Sequence, residues 1–331
     1  MESSTLANEN NGNVVCEDYF IDISQVEKRD YGKNHYIKTM FTGIDRNIKG
    51  LGMGQASIVS GINGSAKSTF CSQLLLNTIE QGHKVAIFSG ELPNYKVLEW
   101  LKLQSAGKDN VFSEDEDKII YKVNNKVESS IEDWLRGKVY IHKNNDYSAV
   151  TLGRAIIDLT RKDKAVKLVI IDNLMMLNLA QLSADKIEAQ TQLILKMTAL
   201  AKFRDIHIIF VCHPTKSKGF IRKEDISGSG NIVNAVDNVF ICHRNNSDFR
   251  VRSKEFFGWD DGSPIYQFSN VVEICKNRDF GVQDKMLGFH FDTTCKRFLN
   301  EENENTNYGW REKSKDISMI PIDSSELDNV F

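Results

Sequence analysis

The run Gly61-Ile62-Asn63-Gly64-Ser65-Ala66-Lys67-Ser68-Thr69 constrains this chain more than any other stretch. Before it stands Ala56-Ser57-Ile58-Val59-Ser60, a short apolar, β-branched run that reads as a strand. After it an amphipathic helical pattern extends from position 67 to 80, and Gly82 ends it as a glycine at a helix C-terminus does. A glycine-rich turn between strand and helix presents successive backbone N–H groups at the positive end of a helix dipole, which is a way to cradle phosphates. In this pattern Lys67 reaches the β- and γ-phosphates of a nucleotide and the Ser68 hydroxyl ligates Mg²⁺. Gly61, Asn63, Gly64, Ser65, Ala66 and Thr69 complete the ATP cradle. Position 66 departs from the pattern, because glycine is usual before the lysine; a right-handed helical backbone there would accommodate alanine. Two alternatives stand beside this reading: an ordinary Gly/Ser turn, and an intact fold with weakened hydrolysis.

The rest of the chain repeats strand and helix in alternation from about position 39, the signature of a mainly parallel sheet flanked by helices. Strands are expected at 84–89, 138–142, 167–171 and 206–212, then near 238–242, 271–275 and 286–291. Helices are expected at 149–162 and from about 184 to 202, with helical patterns through 101 and in the charged region 113–136. The stretch 167–171 is apolar on both faces, as a central parallel strand is. Three segments follow: an arm over 1–38, an α/β ATPase domain over 39–299, and an acidic, mobile tail over 300–331. Residues 1–18 are polar, and Phe20, Ile21, Ile23 and Val26 suggest a small helix docked on a neighbouring surface.

The balance of 42 basic against 45 acidic residues argues against a globally basic nucleic-acid binder, so contact with DNA has to be local. The six cysteines lie outside any C-x-x-C pair and mostly in apolar runs, which points to buried thiols in a reducing cytosol rather than a zinc site. An organelle stays open as an alternative. The N-terminus does not read as a signal peptide, and no apolar run has the length of a membrane span.

Further motifs carry chemistry. Val169-Ile170-Ile171-Asp172-Asn173 puts a carboxylate at the end of an apolar strand, where it can hold Mg²⁺ beside the cradle. In Ser89-Gly90-Glu91-Leu92, Glu91 can orient or deprotonate an attacking water; a helix-capping acid before Pro93 fits the spacing equally well. His213 ends the strand 206–212 at the edge where open α/β sheets bind ligands, and could sense a γ-phosphate or be structural. The loop after it, with Lys216, Lys218, Arg222 and Lys223 and then Ser229 and Gly230, suits contact with a DNA backbone or is a solvated surface loop. Lys276 and Arg278 end a late strand; they could reach a neighbouring subunit's nucleotide or be surface charge.

In order and spacing, these motifs resemble the hexameric replicative DNA helicases of the DnaB/Twinkle class, whose core is a RecA-like P-loop ATPase. The likeness runs over about 39–299 and is carried by Thr42-Gly43-Ile44-Asp45, the P-loop, Gly90-Glu91 and the run from Val169 through Gln181-Leu182-Ser183-Ala184-Asp185 to Gln190. Cys212-His213-Pro214, Gly228-Ser229, Ala235-Val236-Asp237-Asn238-Val239 and Lys276-Asn277-Arg278 complete it. The resemblance implies that Glu91 is the catalytic carboxylate and His213 the γ-phosphate sensor. It puts Lys216 and Lys218 in a central-channel DNA loop, makes Arg278 an arginine finger with Lys276 beside it, and sets Arg244 near the base. It further implies a ring, usually of six, moving 5′ to 3′ on single-stranded DNA.

The chain departs from that family in several places. The arm before residue 39 is too short for a primase domain, and 18–36 resembles a linker that docks on a neighbouring subunit. Ser227 and Asn234 stand where phage relatives carry arginine. The tail from Ile322 to Phe331 resembles acidic segments that dock a polymerase, primase or single-strand-binding protein, or is a solubilising end. Two other functions fit the same fold: a RecA/RadA-like recombination ATPase, and an ATP-binding replication adaptor that does not hydrolyse.

Overall fold

A computed structural model of the chain describes residues 21–26, 28, 35–117, 119–143, 146–214, 219–226 and 229–311, except for the side chain of residue 229. Lys216, Lys218, Ser227, Gly228, the arm over 1–20 and the tail over 312–331 lie outside them. The chain divides into two units, 1–35 and 36–331. In the first, Ile23–Gln25 forms a single 3₁₀ turn whose N-cap, Asp22, accepts the Ser24 N–H at 2.9 Å. Ile21, Ile23 and Val26 are exposed there.

The second unit opens with an antiparallel ribbon, β1 (Tyr36–Ile37) and β2 (Leu51–Gly52), around helix α1 (Thr42–Ile48). Then follow β3 (Ala56–Ser60), α2 (Lys67–Glu80), β4 (Lys84–Ser89), α3 (Asn94–Ala106), a hairpin of β5 (Val111–Ser113) and β6 (Tyr121–Val123), and α4 (Asn125–Leu135). The chain continues through β7 (Val139–Ile141), α5 (Ala149–Lys162), β8 (Val166–Asp172), α6 (Lys186–Arg204), β9 (His207–Cys212), α7 (Ser229–Ala235) and β10 (Asn238–Arg244). It ends with α8 (Ser247–Phe257), β11 (Asn270–Asn277), β12 (Lys285–Asp292) and β13 (Arg297–Leu299).

Among the described residues, nine strands form one sheet in the order β13-β12-β11-β10-β3-β9-β8-β4-β7. From β10 to β7 every pairing is parallel, and β11, β12 and β13 add antiparallel strands at one side. Helices cover both faces, so central strands bury both sets of side chains. In β8, Leu168 and Ile170 join the core under α2 and α3, whereas Val169 and Ile171 join the core under α5 and α6. All four are at most 2% exposed, and burying each stabilises the fold by about 1.5–3 kcal/mol.

Two stretches differ from the sequence expectation. The charged region 113–136 holds the short β5–β6 hairpin before α4. The polar segment expected to run free from 300 onward is seated on the domain as far as Arg311. Tyr308 is buried, stacks on Trp134 with centroids 5.3 Å apart, and donates to Asn77 Oδ1 at 2.6 Å. The Trp310 indole N–H donates to Ser105 O at 2.9 Å. Two aromatic rings placed within reach of α2, α3 and α4 outweigh the polarity of their neighbours.

Candidate active site

Four strand ends define a cleft at the C-terminal edge of the parallel strands, because β3, β4, β8 and β9 point the same way in adjacent register. Its volume is 660 Å³, and Asn63, Gly64, Ala66, Lys67, Ser68, Thr69, Glu91, Trp100, Asp172, Met175, His213 and Pro214 line it.

The turn after β3 is shaped by positive φ angles: 153° at Gly61, 77° at Gly64 and 69° at Ala66. A Cβ on Gly61 would lie 2.4 Å from Cys242 O, so that position admits only glycine. Ala66 corrects the sequence expectation. It is not right-handed but left-handed (φ 69°, ψ 29°), the region where a Cβ meets backbone. The turn has to reverse here to feed α2, which is why glycine is usual at this place.

Ala66 caps α2 without any side-chain hydrogen bond, and the first helical bond runs from Phe70 N to Ala66 O at 2.9 Å. The N–H groups of the first turn therefore lack helical acceptors and sit at the positive end of a 14-residue helix. Ser65 is fully buried, with its hydroxyl unpartnered among the described residues. Lys67 Nζ folds back to Gly61 O at 2.9 Å and Ile62 O at 3.0 Å. Burial lowers the Lys67 pKa, and Asp172 and Glu91 partly oppose that. Donors without acceptors, around a buried ammonium, are what a phosphate chain requires, so these residues fit a nucleotide.

Across the cleft the Ser68 hydroxyl donates to Asp172, whose carboxyl burial pushes above the usual carboxylate range. Gly90 N–H donates to Asp172 O at 2.6 Å, bringing the end of β4 against that of β8. One oxygen of Glu91, Oε1, accepts two hydrogen bonds: one from Asn173 Nδ2 and one from His213 Nε2 at 3.1 Å. Asn173 is oriented in turn, since its Oδ1 accepts the Met176 N–H at 3.2 Å. The cleft thus brings Lys67, Ser68, Asp172, Glu91 and His213 together. Asn173 and Trp100 join them. For Asn173 the signal was its place next to a strand-end aspartate; Trp100 gave none beyond being aromatic in a polar helix.

Other expected residues lie elsewhere. Arg244 is exposed at the end of β10 and does not line the cleft. Arg222 is not an open DNA contact. Its guanidinium pairs with the fully buried Glu273 and with Asp284 at 2.6 Å, and lies 4.5 Å from the Phe256 ring centroid. A carboxylate at zero exposure needs a permanent partner, and Arg222 is one. Lys223 is half-buried in a 3₁₀ turn, Ser229 opens α7 and Gly230 is exposed on it. Lys276 Nζ donates to Val233 O and Val236 O, both at 2.8 Å, at the end of α7, and burial lowers its pKa. Arg278 donates to Asp237 Oδ1 at 2.7 Å and to Asn234 O at 3.1 Å.

A mainly parallel sheet with a phosphate cradle, a strand-end carboxylate and flanking helices defines a RecA-like P-loop domain. Residues 36–300 match the model of the DnaB-like helicase C-terminal domain, and the chain belongs to that family. It is 25% identical over 245 residues to the chloroplastic/mitochondrial Twinkle homolog protein of Arabidopsis thaliana, a match covering 70% of this chain and 34% of that protein. The chain thus spans about a third of the length of that curated relative. Its fold is similar to a solved structure of an isolated ATPase domain (TM-score 0.62, 16% identity, 82% of this chain and 94% of that one). It is also similar to a DnaB-like replicative helicase studied with primase (TM-score 0.61, 16% identity, 80% and 61% covered).

Proposed function

We propose that this chain is an ATP-driven, ring-forming DNA helicase core that translocates 5′ to 3′ along single-stranded DNA in replication. The convergence of Lys67, Ser68, Asp172, Glu91 and His213 on one cleft carries the reading. Lys67 leaves its own loop carbonyls and binds the β- and γ-phosphates. Ser68 and Asp172 hold Mg²⁺, which when bound neutralises phosphate charge. Two oxygen donors with the remaining positions left to phosphates and water suit that ion. Glu91 takes the proton of the attacking water, and Asn173 and His213 keep its carboxylate aimed.

His213 also leads into the loop 214–230, so a change at the γ-phosphate is passed to Lys216, Lys218, Lys223, Ser229 and Gly230, which hold the DNA backbone. Arg222 drops out of that set and pins the loop's return instead. Arg278, with Lys276 beside it, completes the site of a neighbouring subunit. Partners are single-stranded DNA, further copies of this chain in a ring of six, and a replication protein on the C-terminal segment.

The test is ATP hydrolysis by the full chain with and without single-stranded DNA, with Lys67→Ala as control. Stimulation that disappears in K67A is the expected result. ATP binding without turnover in either condition would overturn the motor and leave the adaptor, a reading that the left-handed Ala66 in the cradle keeps open.

A further inference from the structure

The cleft has phosphate-binding groups at one end and an indole ring, Trp100, in its wall. Trp100 stands on α3 and is half-buried. Gln104, one helical turn further on the same face, fixes α3 against the P-loop helix: its Nε2 donates to Thr69 O at 3.0 Å and to Lys296 O at 2.8 Å. Trp100 lies about 9 Å along the helix from the end of α3 next to Glu91. The other large apolar side chains of the cleft, Met175 and Pro214, follow Asp172 and His213 in sequence and belong to the γ-phosphate end.

Trp100 also walls an adjoining cleft of 850 Å³ that contains Lys296, and Lys296 Nζ lies 5.4 Å from the Trp100 ring centroid. Lys296 does not line the nucleotide cleft. The indole therefore has an ammonium on its far side and the phosphate cleft on its near side. A cation over one face of an indole is a stable arrangement that holds the ring in place.

We infer that Trp100 is the platform on which the purine base of the bound nucleotide stacks. This rests on the nucleotide reading above. A purine is a flat, weakly hydrated ring, and with its phosphates fixed at the P-loop it needs an apolar surface within one nucleotide's reach. Offset stacking on an indole supplies that surface with little loss of side-chain freedom, because the ring is already held.

The experiment compares ATP with inorganic tripolyphosphate, which has the phosphates and no base, by calorimetric titration of the full-length protein. Trp100→Ala is expected to weaken ATP binding by about tenfold or more while leaving tripolyphosphate within about twofold. ATP is expected to quench indole emission in the wild type and not in Trp100→Phe, which retains a stacking ring. An equal loss for both ligands in W100A would mean that the ring only props the cleft, and would overturn the assignment. So would a base-dependent loss in Arg244→Ala with none in W100A. If K67A binds tripolyphosphate as well as the wild type does, the nucleotide reading itself fails, an outcome distinct from a failure of Trp100 alone.

Discussion

Ala66 shows how one methyl group can matter in a motif that is otherwise complete. Its backbone is left-handed (φ 69°), where an L-residue other than glycine pays about 1–2 kcal/mol. The surrounding turn enforces that conformation, because Gly61 and Gly64 on one side and α2 on the other leave no other route. Ala66→Gly removes the strain but frees the unfolded chain by about 0.4–1 kcal/mol. The net expectation is a gain of about 0.5–1 kcal/mol, read as a rise in the urea midpoint at unchanged slope. A variant less stable than the wild type would show that the methyl packs well enough to offset its strain. The motif itself was legible in the sequence because its residue types are dictated by phosphate geometry. The handedness at position 66 was not, since it depends on how the turn meets the helix.

Among the elements, β9 is fastened by a buried histidine. Gly52 O can only accept, so His207 Nδ1 donates to it at 2.8 Å; Nε2 then accepts from the Ser57 hydroxyl at 2.7 Å. The ring ties β9 to β2 and β3. Burial lowers its pKa from the ordinary 6.5 to about 4. Below pH 6.5 the unfolded chain takes up a proton that the folded chain refuses. Stability present above pH 6.5 is therefore lost as pH falls toward 4, by about 3 kcal/mol at the lower limit. His207→Gln keeps one donor and one acceptor, and is expected to lose melting temperature less steeply between pH 6.5 and 4. Parallel melting curves for the two proteins would refute this. The strands were legible as elements because helices on both faces demand uninterrupted apolar runs, as in Ile208-Ile209-Phe210-Val211. The pairing of His207 with two neighbours was hidden, because it depends on register between strands far apart in sequence.

At the scale of the molecule, the segment ending at Arg311 clamps helices that the sequence leaves unconnected. The Tyr308 hydroxyl donates to Asn77 on α2 and accepts from Arg297 Nη1 at 3.0 Å. Tyr308→Phe keeps the ring on Trp134 and orphans both partners, so a loss of about 2 kcal/mol is expected in urea unfolding; an unchanged midpoint would mean that water replaces the hydroxyl. Assembly follows from where Arg278 stands. Asn277 pairs with Asn238 and Asn238 with Ser57, so Arg278 lies beside the start of β3, whereas the P-loop follows its end. Asp237 holds it there, one carboxylate oxygen on Arg278 and the other on Ala56 N–H at 3.0 Å. Five residues of strand, about 15 Å, separate the two edges of the sheet. Arg278 therefore does not reach its own cleft, and a head-to-tail ring would deliver it to the next one. K67A lacks a working cradle but offers Arg278; Arg278→Ala has the opposite defect. Each alone is expected to be inactive. An equal mixture, assembled at random, should recover about a quarter of wild-type hydrolysis, because one interface in four pairs an intact cradle with an intact arginine. If mixing restores nothing although the two variants co-assemble, Arg278 does not act between subunits and its bond to Asp237 is its whole role.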